Sequence, residues 1–362
     1  MNDKNPDNVA KEHQMENPVL LCAYVGHFLV RRVTVAMRTG WSMCVRYRLR
    51  PLIWCLLCAA SLSVGCASPT SRLKHYASEQ GFARGLLDTG DYDLLVFDNQ
   101  AGLAQVQKSG KLRFNRSSRY PIGKTSQSSR LHVYLEGDGL PWRYRTVIMP
   151  DPTPRSPLML TLMAIDPHRS IYLGRPCYNG TSEEPPCNPS LWTSGRYSET
   201  VVQSMAAAIR VLVDRFNADE LWLFGHSGGG TLAMLLAPQL SQVSRVVTIA
   251  GNLDTDAWTD HHNYTRLYNS ANPARLPPLP ESIEQWHLLG GRDSVIPPSL
   301  VHHAIKRQPA AHAFMLPGFS HGCCWGRIWP SVINALEAND RNRVPGRPFK
   351  LDIYSTSDQE SQ

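Results

Sequence analysis

An apolar run, Leu221-Trp222-Leu223-Phe224, meets the small-residue cluster Gly225-His226-Ser227-Gly228-Gly229-Gly230, and a leucine- and alanine-rich stretch follows at once. The run reads as a buried strand and the stretch as a buried helix, so the chain must pass from one to the other within a few residues. A turn that tight holds the serine backbone in a strained conformation. Glycines two places before and two places after it, Gly225 and Gly229, let strand and helix approach without side-chain collision. The turn lifts the Ser227 hydroxyl clear of the sheet and leaves the Gly228 N–H free in the first helical turn. As a bare string G-x-S-x-G recurs by chance. Its weight comes from the strand before it, the helix after it, and what the rest of the chain supplies.

Residues 71–90 read as a mixed helical or irregular lead-in, and Tyr92–Phe97 as a first strand. Further strands are predicted at Leu131–Leu135, Ser170–Leu173, Arg245–Ala250, Gln285–Leu289 and Ala313–Leu316. Between them come helices at Pro157–Ala164, about 198–217, from the serine turn to Pro238, Pro298–Arg307 and about 325–338. Val202, Met205, Ile209, Leu212, Val213 and Phe216 form one apolar stripe on the long helix, and Ser198 is its predicted N-cap. Strands alternating with helical crossovers give an α/β fold, a mostly parallel sheet with helices on both faces. Ligands of such sheets sit at the carboxyl ends of the strands. Ser227, Asp293, His321 and the loop Glu136-Gly137-Asp138-Gly139 all follow predicted strand ends.

Ser227, then Asp293 in Gly-Gly-Arg-Asp-Ser-Val-Ile-Pro, then His321 in Gly-Phe-Ser-His-Gly, follow the order nucleophile, acid, base. On these motifs the chain resembles the α/β-hydrolase superfamily over residues 90–340. The resemblance implies one hydrolase domain at 66–362 with a loop or cap insertion about 141–195. It also implies a serine hydrolase that cleaves a small-molecule or lipid-like ester through an acyl-enzyme, with no cofactor and no metal. Serine is a poor nucleophile until a base takes its proton, and imidazole titrates near working pH. A carboxylate on the other ring nitrogen fixes the tautomer. The oxyanion needs two N–H donors, expected from Gly228 and the Asp138 backbone. Glu136 stands where such loops often carry histidine. The Glu136 and Asp138 carboxyls are expected to hydrogen-bond loop backbone and point away. Asp254 and Asp256 compete with Asp293 for the acid, and His226 is expected to pack or line the site. An amide or peptide hydrolase would use the same triad. A non-catalytic envelope binding protein on this fold would be expected to have lost it.

The formal charge of +7 would suit a nucleic-acid binder, but Arg31, Arg32, Arg38, Arg46, Arg48 and Arg50 carry much of it near the N-terminus. No basic run interleaved with aromatics follows, so nucleic acid is not an expected partner. Residues 43–68 read as a basic segment, an apolar segment too short to span a bilayer, and a small-residue cleavage region. Ser63-Val64-Gly65-Cys66 resembles the lipobox of bacterial lipoproteins, with Leu62 one place upstream of its usual position. That resemblance implies export, a lipid on Cys66 and, with Ser68 at the second mature position, an outer-membrane address. Residues 1–65 are then extension and signal, with 1–36 expected to precede the true start at Met37 or Met43. Cys177, Cys187, Cys323 and Cys324 allow up to two disulfides with three connectivities. Cys177 and Cys187 could close their own loop, while Cys323 and Cys324 could join each other or bridge back to it. Asp260-His261-His262 and His302-His303 resemble metal ligands only loosely, and the cysteines lack zinc-site spacing.

Overall fold

Strand–helix alternation builds a nine-stranded sheet in the computed structural model, which describes residues 68–99, 113–114 and 130–341. These belong to one unit beginning at Ala67, and the signal segment and Cys66 lie outside them. The order is α1 (Pro69–Glu79), β1 (Ala83–Asp88), β2 (Asp93–Asp98), β3 (Arg113–Phe114) and β4 (Arg130–Leu135). A separate hairpin of β5 (Trp142–Arg143) and β6 (Val147–Ile148) precedes α2 (Leu158–Ala164) and β7 (Ser170–Leu173). Then come α3 (Glu199–Phe216), β8 (Glu220–His226), α4 (Gly228–Leu236), β9 (Val243–Ile249) and α5 (Thr255–His261). The chain continues through β10 (Glu284–Gly290), α6 (Pro298–Lys306), β11 (Ala311–Leu316) and α7 (Trp325–Arg341).

Across the sheet the strands run β11-β10-β9-β8-β4-β7-β2-β1-β3. From β11 to β7 every neighbour is parallel, while β2 is antiparallel to β7 and to β1. The serine strand β8 thus lies inside the parallel block. Residues 71–90, expected to be helical or irregular, hold both α1 and a full strand, β1. That strand alternates buried Ala83, Gly85 and Leu87 with exposed Arg84 and Asp88, a half-buried antiparallel pattern that Gly85 interrupts in sequence. The other expected elements are present with ends shifted by a few residues.

Period-two alternation divides the core. On β8, Leu221 and Leu223 point to one face and Trp222 and Phe224 to the other. The first face packs under α3, α4 and α6 through residues such as Ile209, Leu232 and Val301. The second is covered by α1, α2 and α7 through Leu73, Met163 and Trp329. Ser198 caps α3 as expected, its side chain accepting from Val201 N–H. Among the described residues no helix is long and apolar enough to cross a membrane.

One buried ion pair ties the sheet to its last helix. Arg245 on β9 donates through Nε to Glu284 Oε2 on β10 at 3.1 Å and through Nη1 to the Leu336 carbonyl of α7 at 3.0 Å. Removing the cation strips a buried carboxylate of its guanidinium. Arg245→Ala is therefore expected to lower the unfolding free energy by about 3–5 kcal/mol, and Arg245→Met with Glu284→Leu by much less. Urea titration of both variants measures the difference.

Candidate active site

Ser227 has φ 52° and ψ −121°, a region that side chains other than glycine rarely enter. Its surroundings over-determine it. A Cβ on Gly225 would lie 2.2 Å from the Gly229 carbonyl oxygen, and a Cβ on Gly229 would lie 2.1 Å from that of Leu135. Ser227 N–H donates to Ile249 of β9, and its carbonyl accepts from Gly230 and Asn252. The hydroxyl-bearing carbon is thereby fixed at the carboxyl end of the sheet, beside a cleft of about 960 Å³.

β10 and β11 are parallel neighbours, with Gly290 opposite Leu316, so the loops after them emerge side by side. They bring Asp293 and His321 together. Asp293 Oδ1 accepts from the N–H groups of Val295 and Ile296, both at 2.8 Å, and Oδ2 meets His321 Nδ1 at 2.8 Å. His321 lines the same cleft as Ser227, and the Asp293 contact leaves Nε2 as its other ring nitrogen. Both competing carboxylates are engaged elsewhere. Asp254 caps α5, and Asp256 pairs with Arg275 and Asn272.

His226 braces the base loop. Its Nε2 lies 2.9 Å from the His321 carbonyl oxygen, an acceptor only, so that nitrogen carries the proton. Burial, then the neighbouring His321, push its pKa down to about 3, so the ring stays neutral. Trp325 Nε1 donates to the same carbonyl at 3.1 Å. His226 lines the site as the sequence suggested, and its bond to the His321 backbone is a contact that sequence reading missed.

The loop after β4 packs against the serine, with a Cβ on Gly137 reaching to 3.4 Å from Ser227 Cβ. Glu136 accepts from the N–H groups of Gly137 (3.2 Å) and Met159 (3.0 Å), which matches the expectation of backbone bonding. Asp138 corrects it. Its carboxylate accepts from Arg175 Nη1 at 2.7 Å, Arg196 Nη1 at 3.1 Å and the Tyr197 hydroxyl at 2.6 Å. Burial opposes that charge, but the two guanidiniums and the hydroxyl outweigh it and hold the carboxyl near pKa 2. The clamp also fixes the main chain, because Tyr178 donates to the Asp138 carbonyl and Arg175 Nη2 to that of Glu136. The carboxylate fills the space that a Cβ on Gly228 would need, at 2.0 Å. Among the described residues the Asp138 N–H donates to no protein acceptor, and the Gly228 N–H, first in its helix, has no helical partner. Cys177 joins Cys187 within the segment that carries this clamp, and Cys323 joins Cys324. No three His, Cys, Asp or Glu side chains among the described residues are grouped to hold a metal ion.

A family model described as the alpha/beta hydrolase fold matches residues 166–298, a span that includes Ser227 and Asp293. The chain has the α/β-hydrolase fold. An esterase from Pyrococcus furiosus is similar at 11% identity and TM-score 0.47, over 77% of this chain and 96% of that one. A serine hydrolase without a lid from Xanthomonas campestris is similar at 14% identity and TM-score 0.40, over 74% and 97%. An acylaminoacyl peptidase from Pyrococcus horikoshii is similar at 12% identity and TM-score 0.50, over 75% of this chain and 43% of that one. At these identities the likeness is one of fold. A search of curated protein sequences finds no match.

Two expectations follow from the α/β-hydrolase loop after β4. Burial raises Glu136 from 4.5 to about 7, so the folded state prefers the protonated acid more than the unfolded chain does. Stability from this group is complete below the unfolded value and is lost as pH rises through about 7, on the order of 3 kcal/mol. Melting curves from pH 5 to 8 should therefore show a decline that Glu136→Gln flattens. Asp138→Asn keeps the shape but leaves two buried guanidiniums facing a neutral amide, with an expected loss of about 3–5 kcal/mol by urea titration.

Proposed function

We propose that this protein is a serine hydrolase that cleaves a carboxylic ester through an acyl-enzyme. The observation that carries the reading is the strained Ser227 at the cleft it shares with the His321–Asp293 pair. Ser227 Oγ attacks the ester carbonyl carbon while His321 Nε2 takes its proton. The Gly228 and Asp138 N–H groups receive the oxyanion. Collapse breaks the bond to the alkoxy oxygen, and the imidazolium returns its proton to that leaving alcohol. Water then attacks acyl-Ser227, gives a proton to His321, and the carboxylic acid departs as the serine is reprotonated. Asp293 holds the imidazole in the tautomer that this cycle needs and stabilises its charged form. The apolar part of the cleft wall, including Leu140, Trp258 and Leu267, suits the acyl or alcohol portion of such an ester.

The resemblance of residues 43–68 to an export signal with a lipobox at Cys66 supports a place in the cell envelope for this activity, and the Cys177–Cys187 pair suits an oxidising compartment. A fluorophosphonate probe should label the wild-type chain and not Ser227→Ala. Labelling that persists in Ser227→Ala, or is missing from the wild type, contradicts the assignment. With p-nitrophenyl esters, His321→Ala should lose about a million-fold in kcat and Asp293→Asn about ten-thousand-fold, with unchanged melting temperatures.

A further inference from the structure

The β5–β6 hairpin stands apart from the main sheet and carries four large apolar side chains into solvent. Trp142 is 38% exposed, Tyr144 69%, Val147 54% and Ile148 39%. Register places Trp142 opposite Ile148 and Arg143 opposite Val147, so apolar groups project from both faces of the ribbon. The hairpin is nonetheless held firmly. Met149 N–H donates to the Pro141 carbonyl, Trp192 Nε1 to that of Met149, and Leu140 N–H to that of Pro152. At its base Gly139, with φ +67°, lies so close to the next segment that a Cβ would come within 1.9 Å of the Pro152 oxygen. Tyr144 and Arg145, at the tip, have φ of 55° and 62°, a conformation normally left to Gly or Asn. A rigid support thus displays an aromatic ring and a cation at a turn where local preference opposes both.

Charge distinguishes this rim. Arg143 and Arg145 lie within the hairpin, and no acidic residue occurs between Gly139 and Pro150. Nearby Asp151 is occupied by Thr70 and Thr153, and on the opposite lip Asp260 is paired with Arg266. That lip adds Tyr264, over which Arg145 stacks, and the exposed Val295. Trp142, Arg145, Tyr264 and Val295 also line the cleft beside Ser227.

We propose that this hairpin docks the protein onto an anionic lipid surface, with its aromatic and aliphatic tip among the acyl chains and its arginines at the headgroups. A protein partner laid against the ribbon would cover one face and cap the cleft mouth. Immersion in lipid covers both faces, and the fluid phase still leaves the cleft open to molecules drawn from the bilayer. Aromatic and aliphatic groups interleaved with arginine are the composition that interfacial segments use. The inference concerns where the cleft is held and stands apart from the chemistry at Ser227.

The test uses the whole chain with vesicles of phosphatidylglycerol or of phosphatidylcholine. Cosedimentation with phosphatidylglycerol should weaken at least ten-fold in Tyr144→Ser with Val147→Ser, while turnover of a soluble p-nitrophenyl ester stays at the wild-type level. Arg143→Gln should reduce the preference for phosphatidylglycerol over phosphatidylcholine several-fold. With brominated acyl chains, vesicles should quench a part of the tryptophan emission that Trp142→Phe lacks, a readout independent of any other membrane attachment. Quenching that is the same in wild type and Trp142→Phe, or absent from both, overturns the proposal. So does a wild-type chain that ignores phosphatidylglycerol vesicles, the result expected if the hairpin instead serves a protein partner.

Discussion

The contact between the end of β8 and the start of α4 is the constraint on which the site depends. The two backbones meet there at a distance that admits no Cβ at Gly225, the end of β4 closes on Gly229 in the same way, and the residue between the glycines takes a strained φ. That strain persists because β4, β9 and α4 all grip the turn through backbone contacts. A serine so placed has little freedom to relax, and its hydroxyl carbon stays beside the cleft. Strain at a point held from several sides is common where a fold fixes a reacting group. Here it sets what the other loops must reach.

Those loops reach it in two different ways. Asp293 and His321 arrive by topology, since adjacent parallel strands end together and need only short loops to bring their side chains into contact. The loop after β4 arrives by electrostatics. Its Asp138 carboxylate is charged, largely enclosed and shared by two buried guanidiniums, and breaking one partner of such a cluster exposes the cost of the charges left behind. Two guanidiniums against one carboxylate give the clamp a net positive charge, which opposes any repulsion of developing negative charge by the Asp138 carboxylate. Glu136, on the other side of Gly137, makes the opposite compromise and titrates near 7 because burial outweighs its backbone bonds. Two acids of one loop, with a single glycine between them, are thus separated by about five pH units through their surroundings.

What could be read from the sequence and what could not divide along the same line. Strands such as Ser170–Leu173 and Glu220–His226 announce themselves because burial on both faces leaves the apolar runs Ile171–Leu173 and Leu221–Phe224. β1 hides because only one of its faces is buried and a glycine breaks the alternation. Ser227, Asp293 and His321 stand in local motifs at strand ends, so position alone suggests them. The partners of Asp138 lie 37, 58 and 59 residues further along the chain in an irregular segment, and no local pattern marks Arg175, Arg196 or Tyr197 as its ligands. Aiming of side chains in a loop is set by tertiary contacts, and a sequence motif carries no record of them. The same holds for His226, whose place in the turn is legible but whose bond to the His321 backbone is not.

Hydrolysis at Ser227 requires a covalent step at one hydroxyl, and trapping that step is its most direct test. The whole chain is mixed with p-nitrophenyl acetate, quenched in acid within the first turnover, and mapped by peptide mass spectrometry. One acetyl group is expected on Ser227, lost on longer incubation and accumulating if water attack is slowed. Release of p-nitrophenol without an adduct on Ser227, or an adduct on another residue that matches the rate of release, would contradict it.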